Sequence, residues 1–541
     1  MAAKADRRAD VSAGGRKRAW YCGWGHSRKN LLQELERIRR DNEGLRRQIV
    51  KQQQELAEKE KDLAEKKREL SEKEKELAEK QRQIQDLERK LAAHNRNSTN
   101  SSKPPSSDGL AGPQRVRGRQ PLRGRRRRKP GGQPGHRGHH RPLVPVEQVN
   151  VVKTLLPQQC QGCGEPLVEP SPEVVGEPRR HQVTEIPKVQ AWITEYQRPQ
   201  VKCGHCGQGN YAPLPPWVRG EFGPQLTALI AYWTVVCRMP RRVVEAMLAE
   251  VLGIKMSLGS TQKAWEEMSD AVQGPYEELQ KQLPQEAVLN IDETGWRNNG
   301  EKRWLWGLVA QQFVFYAIAA HRNAEVLVAL VGAVFRGIIV SDRFSVYLSY
   351  PCRSLQLCWA HLKRNLIALT ETRSPRSQQL GRDALAIVAR LFRLWHRFRG
   401  DLRDGQGHPQ PLDRAQLIAQ SIPLQKKLFH LAEAHLDDAD AEARNLAQAL
   451  FVHAPHLYTF LEEEGVEPTN NRAERALRIA VQWRKISLGN RSDRGESATA
   501  RLLTVTQTCK LQGISALTYL TQAVICHHHG LPPASLLPKP L

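Results

Sequence analysis

Three acidic residues in distinctive settings are the side chains best placed to do chemistry: Asp292 in VLNIDETGW, Asp342 in GIIVSDRFSVY and Glu474 in TNNRAERALR. Two of them end apolar, strand-like runs, and Glu474 follows far downstream on a polar helical segment. Carboxylates brought together from distant positions repel one another, and a divalent cation between them removes that repulsion. Hard oxygen ligands suit Mg²⁺, and paired ions of this kind promote displacement at phosphorus. The sequence therefore predicts a site for two Mg²⁺ ions, which could also accept Mn²⁺. In the alternative, Asp292 only caps its strand and Glu293 is the catalytic acid.

The residues around the first two acids predict the sheet that must position them. Residues 286–361 contain three strand-like runs, a helical run, and two further strand-like runs that begin with GIIVSD. Three strands, a helix and then a strand that carries the second acid is the element order of an RNase H-like fold. We expect Asp292 and Asp342 to lie side by side at the carboxyl edge of this sheet, with the helix of Glu474 packed across it. This assigns residues 286–485 to a catalytic domain with a helical insertion at about 362–465, followed by a helical C-terminal region, 486–541.

Five segments in a fixed order carry a resemblance to a known family: DETGW, SDRFSVY, CWAHLKRN, TNNRAERALR and RKISLGNRSDRGESATARLL. Together with NSTNSSKPPSSD, GGQPGHRGH and two Cys-x-x-Cys pairs upstream, they resemble the IS66 family of insertion-sequence transposases over roughly residues 30–530. The resemblance implies a DDE transposase with Asp292, Asp342 and Glu474 as its catalytic acids. Such an enzyme binds the double-stranded ends of its element, cleaves a strand and joins the freed 3′-hydroxyl to target DNA. It also implies small accessory proteins and a nucleoid-associated location in the bacterial cytoplasm.

Two Cys-x-x-Cys pairs predict a structural zinc site in residues 146–218. Cys160, Cys163, Cys203 and Cys206 supply four thiolates, which complete a closed tetrahedral Zn²⁺ shell. The insert between the pairs contains two runs that we expect to be strands, HQVTEI and VQAWITEYQ, as in a zinc ribbon. The alternative is a set of redox thiols. Because only ten cysteines occur in 541 residues, the usage favours a reducing cytoplasm over a disulfide scaffold.

Residues 219–285 are predicted to be helical and to resemble a helix-turn-helix, with the turn between Gly253 and Gly259. The second helix of that motif would present Thr261, Gln262 and Lys263 to DNA. The alternative is an ordinary helical subdomain that packs on the core.

Positive charge dominates the chain, since 82 Lys and Arg face 57 Asp and Glu for a net charge of +25. Such an excess indicates a polyanionic partner, whose binding should weaken steeply with salt. The densest block lies in the Pro- and Gly-rich linker 95–145, which we expect to act as a basic arm or, alternatively, as a solvated tether. This block comprises Arg125, Arg126, Arg127, Arg128 and Lys129. No apolar run reaches the roughly 18 residues of a membrane span, and residues 1–29 are predicted to be disordered and to lack a secretion signal.

A seven-residue apolar repeat predicts a leucine-zipper-like coiled coil over residues 30–94. Such a repeat implies a left-handed supercoil and hence a homodimer or higher assembly. The alternative is one charged helix held by Glu–Lys pairs four residues apart. The repeat comprises Leu35, Asn42, Ile49, Leu56, Leu63, Leu70, Leu77, Ile84 and Leu91.

Several residues near the acids are candidates for secondary roles. Asn470 could orient Glu474 or contact the DNA backbone. His361 is either structural or a contact to DNA or to the metal shell. The candidates for contact with DNA are Arg364, Asn471, Arg478 and Lys485. His527–His529 form either a weak metal-binding tract or a surface cluster.

Two other functions compete with transposition. One is a DNA-binding protein with an inactive RNase H-like core, which the retention of all three acids argues against. The other is a metal-dependent nuclease without joining activity, which only an assay of strand joining separates from a transposase.

Overall fold

A computed structural model describes residues 28–94, 96–97, 99–101, 141–167, 175–372, 374–402 and 411–537. The chain divides into two compact units, Met1–Asn95 and Arg96–Leu541. The predicted N-terminal segment before residue 28 and the basic block Arg125–Lys129 lie outside the described residues, so both stay predictions.

The first unit contains one long helix, α1 (Arg28–His94). It confirms the predicted helix over this segment. The repeating apolar side chains stay exposed along it, for example Leu63 at 55% and Leu70 at 61%. Pairing of this stripe with a second chain stays a prediction.

Residues 141–218 have little regular structure and no buried side chain among those described. One short antiparallel hairpin is present, formed by β1 (Gln200–Lys202) and β2 (Gly209–Tyr211). The expected strands HQVTEI and VQAWITEYQ are wrong, because neither run pairs with a neighbouring strand. Alternating apolar residues form a strand only when a partner satisfies the backbone and buries one face, and this segment has neither.

Four helices follow, as the sequence predicted for residues 219–285. Gly253, with φ at 68°, ends the second of them in the left-handed conformation that glycine tolerates, and the Ser257 hydroxyl caps the third by accepting from the Ser260 N–H. This is the predicted turn between two helices. The helices are α2 (Pro224–Val235), α3 (Arg241–Leu252), α4 (Leu258–Ala271) and α5 (Gln273–Gln282).

A mixed five-stranded sheet forms the centre of the second unit, with the order β5-β4-β3-β6-β7. Strands β3, β4 and β5 pair antiparallel, whereas β3, β6 and β7 pair parallel. Asn299 and Gly300, both with positive φ, form the tight turn between β3 and β4. The strands are β3 (Val288–Asn298), β4 (Glu301–Val309), β5 (Val314–Ala319), β6 (Phe335–Ser341) and β7 (Cys352–Leu357).

Helices connect the strands of the sheet and follow its last strand, in the order that the sequence predicted. Between β5 and β6 lies α6 (Ala324–Val331), and between β6 and β7 lies α7 (Ser345–Ser349). The predicted insertion is helical and comprises α8 (Trp359–Thr370), α9 (Pro375–Phe398), α10 (Arg414–Glu433), α11 (Ala441–Val452) and α12 (Thr459–Glu462). The last three helices are α13 (Asn471–Ser487), α14 (Asp493–Leu511) and α15 (Ala516–His528).

The C-terminal helices complete the core. The Thr504 and Thr508 hydroxyls on α14 accept the N–H groups of Tyr316 and Val314, so α14 covers the edge strand β5. On α15, the buried His528 lies 2.7 Å from a Glu267 oxygen on α4. His528 therefore joins two helices and does not belong to a surface cluster. None of the helices in the described ranges is both long and apolar enough to cross a bilayer.

Candidate active site

The parallel pairing of β3 with β6 sets two of the predicted acids at one level of the sheet. Asn290 on β3 pairs with Val340 on β6, and Asp292 and Asp342 each come two residues after these partners. Backbone N–H groups hold both carboxylates: that of Glu293 donates to Asp292 Oδ1 at 3.0 Å, and that of Phe344 donates to Asp342 Oδ1 at 2.9 Å. The two acids therefore lie at the end where β3 and β6 stop pairing, as predicted. Asp292 does not end its strand, however, because β3 continues to Asn298 in antiparallel pairing with β4.

Glu474 reaches this edge from the first turn of α13. Burial raises the pKa of Asp292 well above its usual range, and the negative charges of Glu293, Asp342 and Glu474 raise it further. The charges of Asp342 and Glu474 thus lie near enough to act on Asp292, although the ligand atoms of the three acids are not all within 4.8 Å of one another. A divalent cation would relieve that repulsion, and clustered carboxylate oxygens are suitable ligands for one.

Asn470 fastens the start of α13 to the sheet. Its side chain donates to the Ile291 carbonyl at 2.7 Å and accepts from Asn290 at 3.1 Å, while its backbone N–H donates to the Cys358 thiol at 3.1 Å. The Asn470 carbonyl then accepts the N–H of Glu474. Because Asn470 is buried and makes all four contacts, its position determines that of Glu474. This supports the orienting role that the sequence suggested for Asn470.

Glu293 is held by neighbours that sequence reasoning missed. Its side chain is 1% exposed and accepts hydrogen bonds from Arg322, with Nε at 2.6 Å, and from the Tyr347 hydroxyl. Arg322 in turn stacks on the Phe344 ring, with its guanidinium carbon 3.7 Å from the ring centre. Both oxygens of Glu293 are thus occupied, which disfavours it as the working acid. Tyr347 is present in the segment SDRFSVY that contains Asp342, but nothing in the sequence linked this tyrosine to Glu293.

Two basic side chains flank Glu474. The Arg364 guanidinium lies 3.4 Å from Glu474 Oε1, and His361 Nδ1 lies 3.7 Å from the same oxygen. Burial, followed by the positive charge of Arg364, lowers the pKa of His361. Ligand atoms of Cys358, His361 and Glu474 all lie within 4.8 Å of one another, and no other group of three such ligands occurs in the described part of the chain.

Models of known protein families match two parts of this chain. A model of the family described as "Transposase IS66 family" matches residues 219–498. The chain belongs to the IS66 transposase family. A second model, "Family of unknown function (DUF6444)", matches residues 29–142.

Two proteins of one bacterium are similar to parts of this IS66 family member. The chain is 28% identical over 258 residues to the uncharacterized protein y4qI of Sinorhizobium fredii (strain NBRC 101917 / NGR234), which covers 43% of this chain and 46% of the relative. It is 23% identical over 223 residues to the uncharacterized protein y4jD of the same organism, covering 39% and 41%. The chain thus aligns with less than half the length of either relative.

The DNA-contacting residues predicted on α13 and on α4 of this IS66 family member differ in their exposure. Asn471, Arg478 and Lys485 are exposed and seven residues apart, so they follow one face of α13, and the first two flank Glu474. On α4, Lys263 is exposed, but Gln262 donates to Glu266. Thr261 is fully buried and donates its hydroxyl to the Leu258 carbonyl. The structure therefore does not support a DNA contact by Thr261.

The two cysteine pairs form matching turns. The N–H of Gly164 donates to the Cys160 carbonyl and that of Gly207 to the Cys203 carbonyl, both at 2.9 Å. Nearby backbone N–H groups, first that of Cys163, lower the pKa of the Cys160 thiol; that of Cys206 does the same most strongly for Cys203. No three of the four thiols lie within 4.8 Å of one another. The joint zinc site stays a prediction.

Proposed function

We propose that this protein is a DDE transposase that cleaves DNA at the ends of its insertion sequence and transfers the freed strand to target DNA. The observation that carries the proposal is the convergence of Asp292, Asp342 and Glu474 at one sheet edge. The strand order, with three antiparallel strands followed by two parallel ones, supports an RNase H-like core. Membership of the IS66 family makes DNA the expected partner.

The three carboxylates would hold a pair of Mg²⁺ ions, with Mn²⁺ as a substitute. When bound, such ions lower the pKa of an attacking water or 3′-hydroxyl and neutralise charge on the leaving 3′-oxygen. Residues of the chain would position these acids. Asn470 holds the backbone of Glu474, and the N–H groups of Glu293 and Phe344 donate to the carboxylates of the two aspartates. The Asn470 contacts are buried and those of the two aspartates are part-buried, so the chain holds the acids in place before a substrate binds.

The exposed face of α13 offers a path for the substrate. Asn471 and Lys485 are separated by about 21 Å along the helix, which is the length of several phosphodiester units. Arg478 lies between them, one turn beyond Glu474. This row would bind the phosphate backbone without reading its sequence and would lead one strand to the carboxylates. We place sequence recognition elsewhere, with α4 and its exposed Lys263 as one candidate.

Two further proposals concern assembly. Zinc held by Cys160, Cys163, Cys203 and Cys206 would give residues 146–218 a fixed shape, and α1 would join two or more chains through its exposed apolar stripe. Both would serve to hold two element ends in one complex, together with small accessory proteins of the same element.

The deciding experiment uses the purified full-length chain and labelled duplex DNA from the flanks of its own gene. We expect Mg²⁺-dependent nicking at the element boundary and, with a supercoiled plasmid present, covalent joining of the new 3′ end. Glu474→Gln should lose both products while still binding DNA, and Glu464→Gln, at an exposed position, should retain them. Nicking that persists in Glu474→Gln would show that the reaction occurs elsewhere. Nicking without joining would indicate a nuclease.

A further inference from the structure

A second group of metal ligands lies beside the carboxylates. Cys358 follows β7 directly and is the N-cap residue of α8. His361 lies in the first turn of α8, and Glu474 lies in the first turn of α13. Their ligand atoms are within 4.8 Å of one another. Two helix starts therefore bring a thiol, an imidazole and a carboxylate to one point.

The state of these three groups suggests a ligand. Among the described residues, His361 Nδ1 is buried and has no hydrogen-bond partner, although it faces Glu474. A buried polar atom without a partner is uncommon and calls for an explanation, such as an ion. The Cys358 thiol is also buried, and the Asn470 N–H points at its sulfur from 3.1 Å. Hydrogen bonds of this kind orient metal ligands and adjust their basicity.

The chemistry of this set differs from that of the neighbouring aspartates. A thiolate and an imidazole favour borderline or soft ions such as Zn²⁺, whereas carboxylates alone favour Mg²⁺. Three protein ligands leave one position of a tetrahedral zinc ion for water. Arg364 opposes binding, since its guanidinium contacts Glu474 Oε1, but that contact is long at 3.4 Å. No hydrogen bond or ion pair of the described residues engages the other oxygen, Oε2, with a basic group.

We propose that Cys358, His361 and Glu474 form an inhibitory site for Zn²⁺ or a similar thiophilic ion. An ion held there would draw Glu474 toward α8 and withdraw it from the two aspartates. The transposase would then respond to the availability of such ions, with Glu474 shared between an activating and an inhibiting metal. The binding site stands on its own geometry, and only the inhibition rests on the proposed function.

Metal binding is the first test, because it does not depend on activity. The full-length protein, freed of metal, is titrated with Cd²⁺, whose bond to thiolate gives an ultraviolet absorption band, and bound metal is counted after gel filtration. We expect Cys358→Ser and His361→Gln each to bind one ion per chain less than wild type. Cys352→Ser, on β7 but outside the group, should bind as wild type does. Since His361→Gln preserves the thiol and the core, it covers the case in which Cys358→Ser fails to fold. Equal metal content in all four proteins would overturn the site.

Inhibition is tested by adding Zn²⁺ to the Mg²⁺-dependent nicking assay, with each protein normalised to its own rate without zinc. We expect His361→Gln to need at least about tenfold more Zn²⁺ for half inhibition than wild type or Cys352→Ser, because loss of a direct ligand should weaken binding no less than loss of a residue that supports one. Equal sensitivity would overturn the regulatory role. If wild type does not nick DNA at all, the proposed function fails, and the metal count alone still decides whether the site exists.

Discussion

The sheet edge and the cysteine region 141–218 both contain candidate functional side chains from distant parts of the sequence, and they differ in what holds those side chains in place. At the sheet edge, buried strands and the hydrogen bonds of Asn470 bring three carboxylates together despite their repulsion. In residues 141–218, no described side chain is buried, and each cysteine pair is organised only by its own turn. The core therefore sets the first site, while the described residues of the second region contain no core that could set the proposed zinc site.

This difference has an energetic meaning. A packed core supplies the free energy that holds like charges together, so the carboxylate site can exist before its ligand binds. A segment without a core must obtain that free energy from a ligand or partner, as small metal domains do. Substitutions at the sheet edge should then change chemistry while the fold persists, and substitutions at the cysteines should change the fold.

The largest effect is expected for Asp292→Asn. The substitution keeps the shape of the side chain but removes a charged metal ligand, so the rate of Mg²⁺-dependent nicking should fall on the order of 10³-fold or more. Binding of end DNA, measured by fluorescence anisotropy, should persist.

Thermal unfolding provides the control for folding in Asp292→Asn. Because the folded-state pKa of Asp292 is raised, this carboxyl binds its proton more tightly in the folded metal-free protein, and its contribution to stability falls as pH rises above about 4. Asp292→Asn removes that penalty, so its melting temperature at neutral pH without divalent ions should equal or exceed that of wild type. Asp437→Asn, at an exposed position, should change neither rate nor melting. A lower melting temperature for Asp292→Asn would contradict the idea that the core holds this acid at a cost.

The next effect concerns Cys160→Ser. Loss of one of four thiolates should reduce the tightly bound zinc from about one ion per chain to none. Residues 141–218 should then become sensitive to limited proteolysis, while the fragment that contains the sheet stays intact. Elemental analysis and protease mapping measure these two results.

The matched control for this experiment is Cys237→Ser, since Cys237 is exposed and outside both pairs. Unchanged zinc content in Cys160→Ser would reject the site. Unchanged protease resistance would show that this region has another source of stability.

The contrast between the two regions also explains what the sequence could predict. The strand order, the helical insertion and the meeting of Asp292 with Asp342 follow from local patterns, because parallel strands end at one edge of a sheet. The strands expected in residues 181–197 were wrong, since alternation shows which face a strand would bury and not whether a partner exists. The hydrogen bonds of Glu293 with Arg322 and Tyr347 were missed because they join a strand, a loop and a helix through side chains alone. Thr261 was misjudged for a related reason: the face that a helix buries depends on its neighbours.

Asn470→Ala tests whether the packed core, and not the metal, positions Glu474. The loss of buried hydrogen bonds should lower the free energy of unfolding by about 1–3 kcal/mol. Nicking should fall about 10- to 100-fold, as for other residues that orient metal ligands. Denaturant titration and single-turnover nicking measure the two effects, with Asn445→Ala on the exposed side of α11 as control. Full activity in Asn470→Ala would mean that bound metal alone can orient Glu474.

The long helix α1 is a second region without a core of its own, and substitutions in its apolar repeat ask whether a partner chain supplies one. Leu63→Glu combined with Leu70→Glu should convert a dimer or larger assembly into monomers. The two substitutions would place charges in the apolar interface between the helices, in two consecutive seven-residue repeats. Light scattering after gel filtration gives the mass. Lys67→Glu, outside the repeat, should leave the mass unchanged. A monomeric wild type would favour the single charged helix.

The smallest effect is expected at the exposed end of α13, where Lys485→Gln removes one charge far from the carboxylates. If this helix face follows the phosphate backbone, the slope of log K against log salt concentration should decrease in magnitude by about one, with similar losses on specific and unrelated DNA. The nicking rate at saturating DNA should stay that of wild type, because Glu474 and Asn470 are held by the core and not by this surface. Lys510→Gln, at the exposed end of α14, is the matched change of charge. An unchanged slope would remove α13 from the DNA path, and a slope reduced equally by both variants would show that only the overall charge of the protein matters there.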